Sequence, residues 1–364
     1  MTGAPAVRAA FVSDSEPERN GVGAYYADLI DQLADRGVAT RFVCPGRSGQ
    51  KGFSFPLPGD ATQRIYVPSP RRLWKALREF QPTVVVVATP GPYGLIASKW
   101  AHDKKLPLLI GFHTHYAGVT DLYGKSLLKY FSRGWFRFAD RTLFRYGDRV
   151  LGNSAEMTEL AERLGAKETR RIGTLVPRAV LRTERRPLGD RFRRVLFAGR
   201  LAAEKRLHTV IDAARALPRI EFVIAGDGPL RSEVDRAVAE VDNLTATGWL
   251  TRPQLLEQMD AADALVLPSE VESFGTVALE AMARGRQAVV TSICGIVNWP
   301  TLADHLVVFD LDDDLAGVLE SLAEEPAEAR HARADAGCRA AHALNERSLD
   351  DWVDLLRHPL ESAG

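Results

Sequence analysis

Two carboxylates and two cations in the chain have settings that could support chemistry. Glu272 and Glu280 close the ends of ESFGTVALE, with seven residues between them, just after the apolar run ADALVLPSEV. Ser273, Phe274 and Gly275 would open a helix beginning at Thr276, and the free N–H groups of its first turn can hold phosphate oxygens. The helix dipole alone favours an acid at that start, which accounts for Glu272 without any ligand. It does not account for Glu280, which lies further along among Val277, Leu279 and Met282. Glu280 can accept two hydrogen bonds from a diol such as a ribose, and Glu272 can reach sugar hydroxyls. The cations are Arg200 and Lys205 in AGRLAAEKRL, where Gly199 lets the backbone turn sharply. Two cations beside a helix amino terminus make an anion site that suits a diphosphate. Arginine and lysine are common on any surface, so this stretch alone decides nothing.

Three further stretches are weaker signals. In IAGDGPLR, Gly226 and Gly228 permit close approach of a ligand, but any tight strand-to-helix turn favours glycine. The incomplete G-x-G-x-x-G pattern counts against a dinucleotide cofactor. NGVGAYY places Gly21 and Gly23 in a glycine loop at another helix start, where a simple turn is an equal explanation. GFHTHYAG ends an apolar run with His113 and His115; on an extended segment these side chains point to opposite faces, and no third ligand is apparent, so no metal is expected.

From 123 to 150, Lys125, Lys129, Arg133, Arg137, Arg141 and Arg145 recur every fourth residue. On a helix they form a slanting basic stripe, interleaved with Trp135, Phe136, Phe138 and Phe144. Basic residues with exposed aromatics can dock on anionic lipid headgroups. The alternative is a buried helix pair with solvated arginine edges. No nucleic-acid-binding module is present, and no nucleic-acid partner is expected.

The elements that must hold these residues are apolar runs of four to eight residues alternating with amphipathic stretches. RAAFVSD, PTVVVVATP and PLLIGFHTH form a first series; RRVLFAGRL, IEFVIAGDGP, ADALVLPS and RQAVVTS form a second. Such alternation predicts βαβ units and parallel sheets. The Pro- and Arg-rich LVPRAVLRTERRPLGD between them reads as a linker. The fold class is therefore α/β, with two doubly wound Rossmann-like domains facing across a cleft, one over 1–176 and one over 177–364. Ligands of such sheets bind at the carboxyl ends of the strands. Residues 1–175 carry 25 Lys+Arg against 16 Asp+Glu, so the first half is basic and the second acidic within a chain of zero net charge. That asymmetry fits an anionic partner for the first half, or attraction between the halves. Cys44, Cys294 and Cys338 are isolated, which suits a reducing cytoplasm. No signal peptide or membrane span is predicted.

GRLAAEKRL, AGDGPL, PSEVESFGTVALEAMARG and NGVGAYYADLIDQLADRG, in their order along the chain, resemble the retaining GT-B glycosyltransferases of family 4. The likeness covers nearly the whole chain and is strongest over 195–285. Glu272 and Glu280 match the family's E-x7-E motif, and Arg200 and Lys205 its paired basic residues. The resemblance implies a nucleotide diphosphate sugar donor bound by the second domain. Arg200 and Lys205 would neutralise the diphosphate leaving group, Glu280 would bind ribose, and Glu272 and His113 would lie beside the transferred sugar. Gly21 and Gly23 resemble the family's loop near the donor phosphates. It implies no cofactor, no metal and a terminal helix at about 346–360 crossing back to the first domain. The expected acceptor is a lipid or lipid-linked one; the alternatives are the same chemistry on a soluble small molecule or glycan and, less favoured, a non-catalytic nucleotide-sugar-binding protein. The stretch after FHTHY looks like the glycolipid-forming branch, and with it goes a cytoplasmic enzyme peripheral to the inner face of the membrane. Three departures stand out: Gln287 replaces the usual proline of Gly-x-Pro, SICGIVNWP replaces a Gly-Gly loop, and GTLVPRAVL lacks Gly-Val-Asp.

Overall fold

A computed structural model of the protein describes residues 7–16, 21–46, 53–57, 60–113 and 127–361. The chain divides into two compact units, residues 1–175 together with 346–364, and residues 176–345. The strands of the first are β1 (Arg8–Val12), β2 (Ala39–Val43), β3 (Phe53–Leu57), β4 (Asp60–Val67), β5 (Val84–Val87), β6 (Leu108–Phe112), β7 (Arg149–Gly152) and β8 (Thr169–Arg171). Six form a parallel sheet in the order β2-β1-β5-β6-β7-β8, and β3 and β4 pair as a separate antiparallel hairpin. The hairpin is absent from the sequence reading. Its strands carry Pro56 and alternate polar residues, unlike the continuous apolar runs of the buried sheet.

Both faces of the sheet are covered at its centre, so β5 and β6 are apolar throughout, whereas the edge strands β2 and β8 carry Arg41, Arg170 and Arg171. Ala9 and Phe11 of β1 join Tyr26, Leu29, Leu33 and Trp352 on one face. Ala10 and Val12 join Leu73, Leu77, Tyr93 and Phe144 on the other. Neighbouring residues thus serve opposite cores, as the two-residue period of a strand requires. The order reverses at β1, with β2 on one side and β5 on the other, and this places a crevice at their carboxyl ends.

The second unit repeats the plan with β9 (Arg194–Ala198), β10 (Glu221–Ala225), β11 (Leu244–Gly248), β12 (Ala264–Leu267), β13 (Gln287–Thr291) and β14 (Val307–Phe309). Their order is β11-β10-β9-β12-β13-β14, all parallel, and the reversal lies between β9 and β12. The helix Ala327–Arg357 is continuous, yet its residues through Asn345 group with the second unit and those from Glu346 with the first. Among the described residues, no helix is long and apolar enough to cross a membrane.

The stretch read as a linker is held firmly in the second unit. Arg178–Arg182 is a short helix, and Val180 lies in the core. Arg284, almost wholly buried, donates to the carbonyls of Val180 and Glu184 at 2.9 and 2.8 Å, and also to that of Thr183. Its Nε and Nη2 make a two-pronged pair with Asp260 at 2.8 and 2.6 Å. Five donors thus meet five acceptors, and the guanidinium can remain charged away from water. Asp260→Ala would leave this buried cation without its anion. It should destabilise the protein by about 3–5 kcal/mol, read as a fall in the chemical denaturation midpoint.

Candidate active site

The residues selected from the sequence of the second half converge on the β9/β12 reversal. Gly199 to Lys205 follow β9, and Glu270 to Gly275 follow β12. The two loops are tied by the Glu270 N–H, which donates to the Glu204 carbonyl at 2.9 Å. Lys205 ends a single 3-10 turn, Ala203–Lys205, and its Nζ lies 2.5 Å from Glu272 Oε2. Both side chains are mostly buried, with 16% and 18% exposed. Arg200, in the loop after β9, pairs with the carboxylate of Glu204 four residues on, which is only 5% exposed. Sequence reasoning missed Glu204; its i,i+4 spacing from Arg200 was the available signal.

Gly275 opens the helix Thr276–Ala283 with φ of +94°, a left-handed conformation that favours glycine. A Cβ there would also lie 2.8 Å from the Cys294 sulfur. Phe274 is buried and packs edge-on against Trp299 with ring centroids 6.1 Å apart. Only its backbone is left for a ligand. Cys294 donates to the Phe274 carbonyl, and burial pushes its thiol well above the usual range, with the Glu272 charge adding to the effect. Glu280 lies half-buried on a helix otherwise packed through Ala278, Leu279, Ala281 and Met282.

Gly226 and Gly228 have a structural reason for being glycine. A Cβ at Gly226 would sit 1.8 Å from the Gly199 carbonyl oxygen, and one at Gly228 would sit 2.6 Å from that of Leu201. The turn after β10 presses on the turn after β9, and backbone meets backbone.

In the first unit, His113 directly follows β6, is 9% exposed, and has its Nε2 2.8 Å from the Tyr26 hydroxyl. Burial lowers its pKa to about 4, so the imidazole is neutral at physiological pH. His115 lies outside the described residues. Gly21 and Gly23 lie in the first turn of the helix Gly21–Asp35 rather than in a loop before it.

Asp14, which the sequence reading did not select, follows β1 and fills the crevice at the β1/β5 reversal. It accepts from the backbone N–H groups of Gly91, Tyr93 and Gly94 at 3.0, 2.7 and 3.3 Å, and from Thr89 Oγ1 at 2.8 Å. Burial raises its pKa to about 6 against the lowering effect of those donors. The site that a helix amino terminus would offer an anion here is occupied by the protein's own carboxylate.

The basic stripe lies partly within the helix Leu127–Tyr146. Arg137, Arg141 and Arg145 face outward, Trp135 is half-buried, and Phe138 is 60% exposed. Phe136 and Phe144 are core residues instead, because they fall on the inner face with Ala139 and Leu143. Lys125 lies outside the described residues, and only the helical backbone is described at Lys129 and Arg133. No group of three or more metal-ligating side chains occurs among the described residues.

Two family models together match most of the chain: "Glycosyltransferase Family 4" over residues 19–180 and "Glycosyl transferases group 1" over 183–338. The chain belongs to glycosyltransferase family 4. This glycosyltransferase is 29% identical over 311 residues to a GDP-mannose-dependent alpha-mannosyltransferase of Mycobacterium tuberculosis, a match covering 79% of this chain and 80% of that one. It is 35% identical over 149 residues to an alpha-D-kanosaminyltransferase of Streptomyces kanamyceticus, covering 39% of this chain and 38% of that protein. Among solved structures, a sucrose-phosphate synthase from Thermosynechococcus elongatus superposes with a TM-score of 0.73 at 18% identity, over 97% of this chain and 99% of that one. HepE of Anabaena, solved with UDP-glucose, gives 0.67 at 16% identity, over 96% and 100%. The fold is GT-B, and the enzyme is a retaining, nucleotide-sugar-dependent glycosyltransferase. Gln287, one of its departures from the family pattern, has a clear structural use. The buried amide donates to the Arg330 carbonyl and accepts from Arg333 Nε, both at 2.7 Å, and so ties β13 to the helix Ala327–Arg357.

The neutral, buried His113 has a stability consequence. Its folded pKa of about 4 lies below the unfolded value near 6.5, so between these the unfolded chain binds the extra proton. Stability from this group therefore rises as pH increases through that window and is lost on acidification. Relative to His113→Gln, the wild type should gain about 3 kcal/mol between pH 4 and 6.5, measured by urea denaturation of both proteins across that range.

Proposed function

We propose that the enzyme transfers a sugar from a nucleotide diphosphate donor, bound at the β9/β12 reversal, to a lipid or lipid-linked acceptor at an anionic membrane surface. The observation that carries the donor assignment is the Lys205–Glu272 pair, 2.5 Å apart beside the start of the helix Thr276–Ala283. It puts a mostly buried cation and a mostly buried carboxylate where both ends of a donor would meet. The diphosphate is drawn to Lys205, Arg200 and the N–H groups of the helix start. The sugar hydroxyls fall to Glu272, and the ribose diol to Glu280. Gly199, Ser273, Gly275 and Thr276 contribute backbone at the same edge.

The reaction develops positive charge on the sugar and negative charge on the departing diphosphate. Preformed cations that strengthen their hold as that charge grows lower the barrier, most of all where water is scarce. Lys205 is held in place by Glu272 and Arg200 by Glu204, so both cations are oriented before the donor arrives. His113, neutral and buried, supplies a polar contact to the transferred sugar rather than a charge. The roles call for neither a metal nor a cofactor.

The acceptor reading rests on the helix Leu127–Tyr146. Its outer face combines three exposed arginines with Phe138 and Trp135, within a basic half-chain. Each cation near an anionic surface contributes about 1 kcal/mol, and an inserted aromatic adds a part that salt does not screen. The setting would be the cytoplasmic face of a membrane, with glycolipid biosynthesis as the role.

Two experiments test these assignments. Lys205→Ala and Arg200→Ala should each cost about 2–4 kcal/mol in kcat/KM once the donor has been found by screening nucleotide sugars for thermal stabilisation. Wild-type turnover in both variants would remove the donor site from this edge. For the membrane, the protein should sediment with anionic vesicles at low salt, less so at high salt, and weakly with neutral vesicles. Equal partitioning onto both lipids, or none onto either, would leave a glycosyltransferase with a soluble or glycan acceptor.

A further inference from the structure

We propose that Tyr26 is a positioning residue for the transfer reaction: its hydroxyl donates to Nε2 of His113 and so fixes the imidazole as the neutral tautomer protonated at Nδ1. The proposal rests on the reading of His113 as a neighbour of the transferred sugar and deepens it. Tyr26 is fully buried, and His113 Nε2, at 2.8 Å, is the one hydrogen-bond partner of its hydroxyl among the described residues. Two arrangements fit that distance. If Nε2 carried the proton and donated to the phenol oxygen, the phenol hydrogen would have no acceptor among the described residues. A buried O–H without a partner costs more than the hydrogen bond itself contributes. The phenol must therefore donate, which leaves Nε2 bare and puts the ring proton on Nδ1.

Both rings are held so that neither can escape this arrangement. Tyr26 touches Phe11 and Trp352 with centroids 5.9 and 6.2 Å away, and Tyr25 edge-on at 5.0 Å. Trp352 Nε1 in turn donates to the Tyr25 hydroxyl at 2.9 Å. The phenol lies directly against the strand: a Cβ at Gly111 would stand 2.0 Å from its oxygen. Gly111 is thus the residue that admits the Tyr26 hydroxyl to His113. The result is an uncharged N–H donor at Nδ1, suited to a sugar oxygen and unable to act there as a base.

Histidine-selective nitrogen-15 labelling at neutral pH reads the tautomer directly, with His113→Gln identifying the signal by its loss. The expected wild-type spectrum shows a protonated Nδ1 and an unprotonated Nε2; a protonated Nε2 would overturn the assignment. Tyr26→Phe keeps the ring and removes the donor, so its His113 signal should move to a mixture of tautomers. An unmoved signal also counts against the proposal. In turnover, Tyr26→Phe should lower kcat about tenfold with the donor KM within about twofold. Wild-type kcat in both variants would overturn the positioning role by removing His113 from the reaction. A fall in His113→Gln alone would overturn it at Tyr26. Should Tyr26→Phe not fold, the wild-type spectrum still decides the tautomer.

Discussion

The central strands of a parallel sheet covered on both faces leave little room for charge, so the charged side chains beside them gather at one strand end or the other. In the second unit the two edges have been put to different uses. At the carboxyl edge, Arg200, Lys205, Glu204 and Glu272 are arranged in partly exposed pairs. At the opposite edge, Asp263 accepts from the N–H groups of Arg193 and Arg194, while Arg284 and Arg286 donate to carbonyls of the 180–186 stretch. The first edge keeps its charges partly exposed, and the second uses them to close the fold. Much of the distribution of charge in the unit follows from this division.

The first unit obeys the same constraint with a different outcome. Its reversal point is also flanked by a helix amino terminus, but Asp14 satisfies those N–H groups internally. His113, at the end of the neighbouring strand β6, is polar without being charged. A nucleotide-sugar transferase needs cations for the leaving group in one place only. Two similar sheets therefore differ at equivalent positions: ion pairs stand at the reversal of the second, and a buried carboxylate at that of the first.

Much of the architecture was legible because buried parallel strands announce themselves. RVLFA, FVIA, ALVL and VVVV are apolar runs of strand length, and the strands lie where those runs are. Lys205 and Glu272, 67 residues apart, could be associated only through the family pattern. No spacing rule links the ends of two nonadjacent strands. Tyr26 and His113, 87 residues apart, gave no signal at all, since Tyr26 looks like any aromatic on a helix's buried face. The arginine-rich stretch at 175–190 was misread for a related reason. Arginines suggest solvent, whereas the stretch is fixed through its own carbonyls by arginines from elsewhere, and composition does not record a carbonyl's partner. The basic helix was half legible: its period set the outward arginines, but the same period turned Phe136 and Phe144 into the core.

The division of the helix Ala327–Arg357 between units has a consequence for how the chain is made. The second unit is contiguous, so its whole core has been synthesised once Asn345 is added. The first unit's core is not complete at Leu175, because Trp352, Val353, Leu355 and Leu356 belong to it. At roughly 5–20 residues per second, the ribosome needs on the order of 10–30 s to travel from one point to the other. During that interval the face of the first sheet that carries Phe11 and Tyr26 waits for its cover. The unit synthesised first is thus the last to finish folding, and the surface that waits is the one that holds His113 in place.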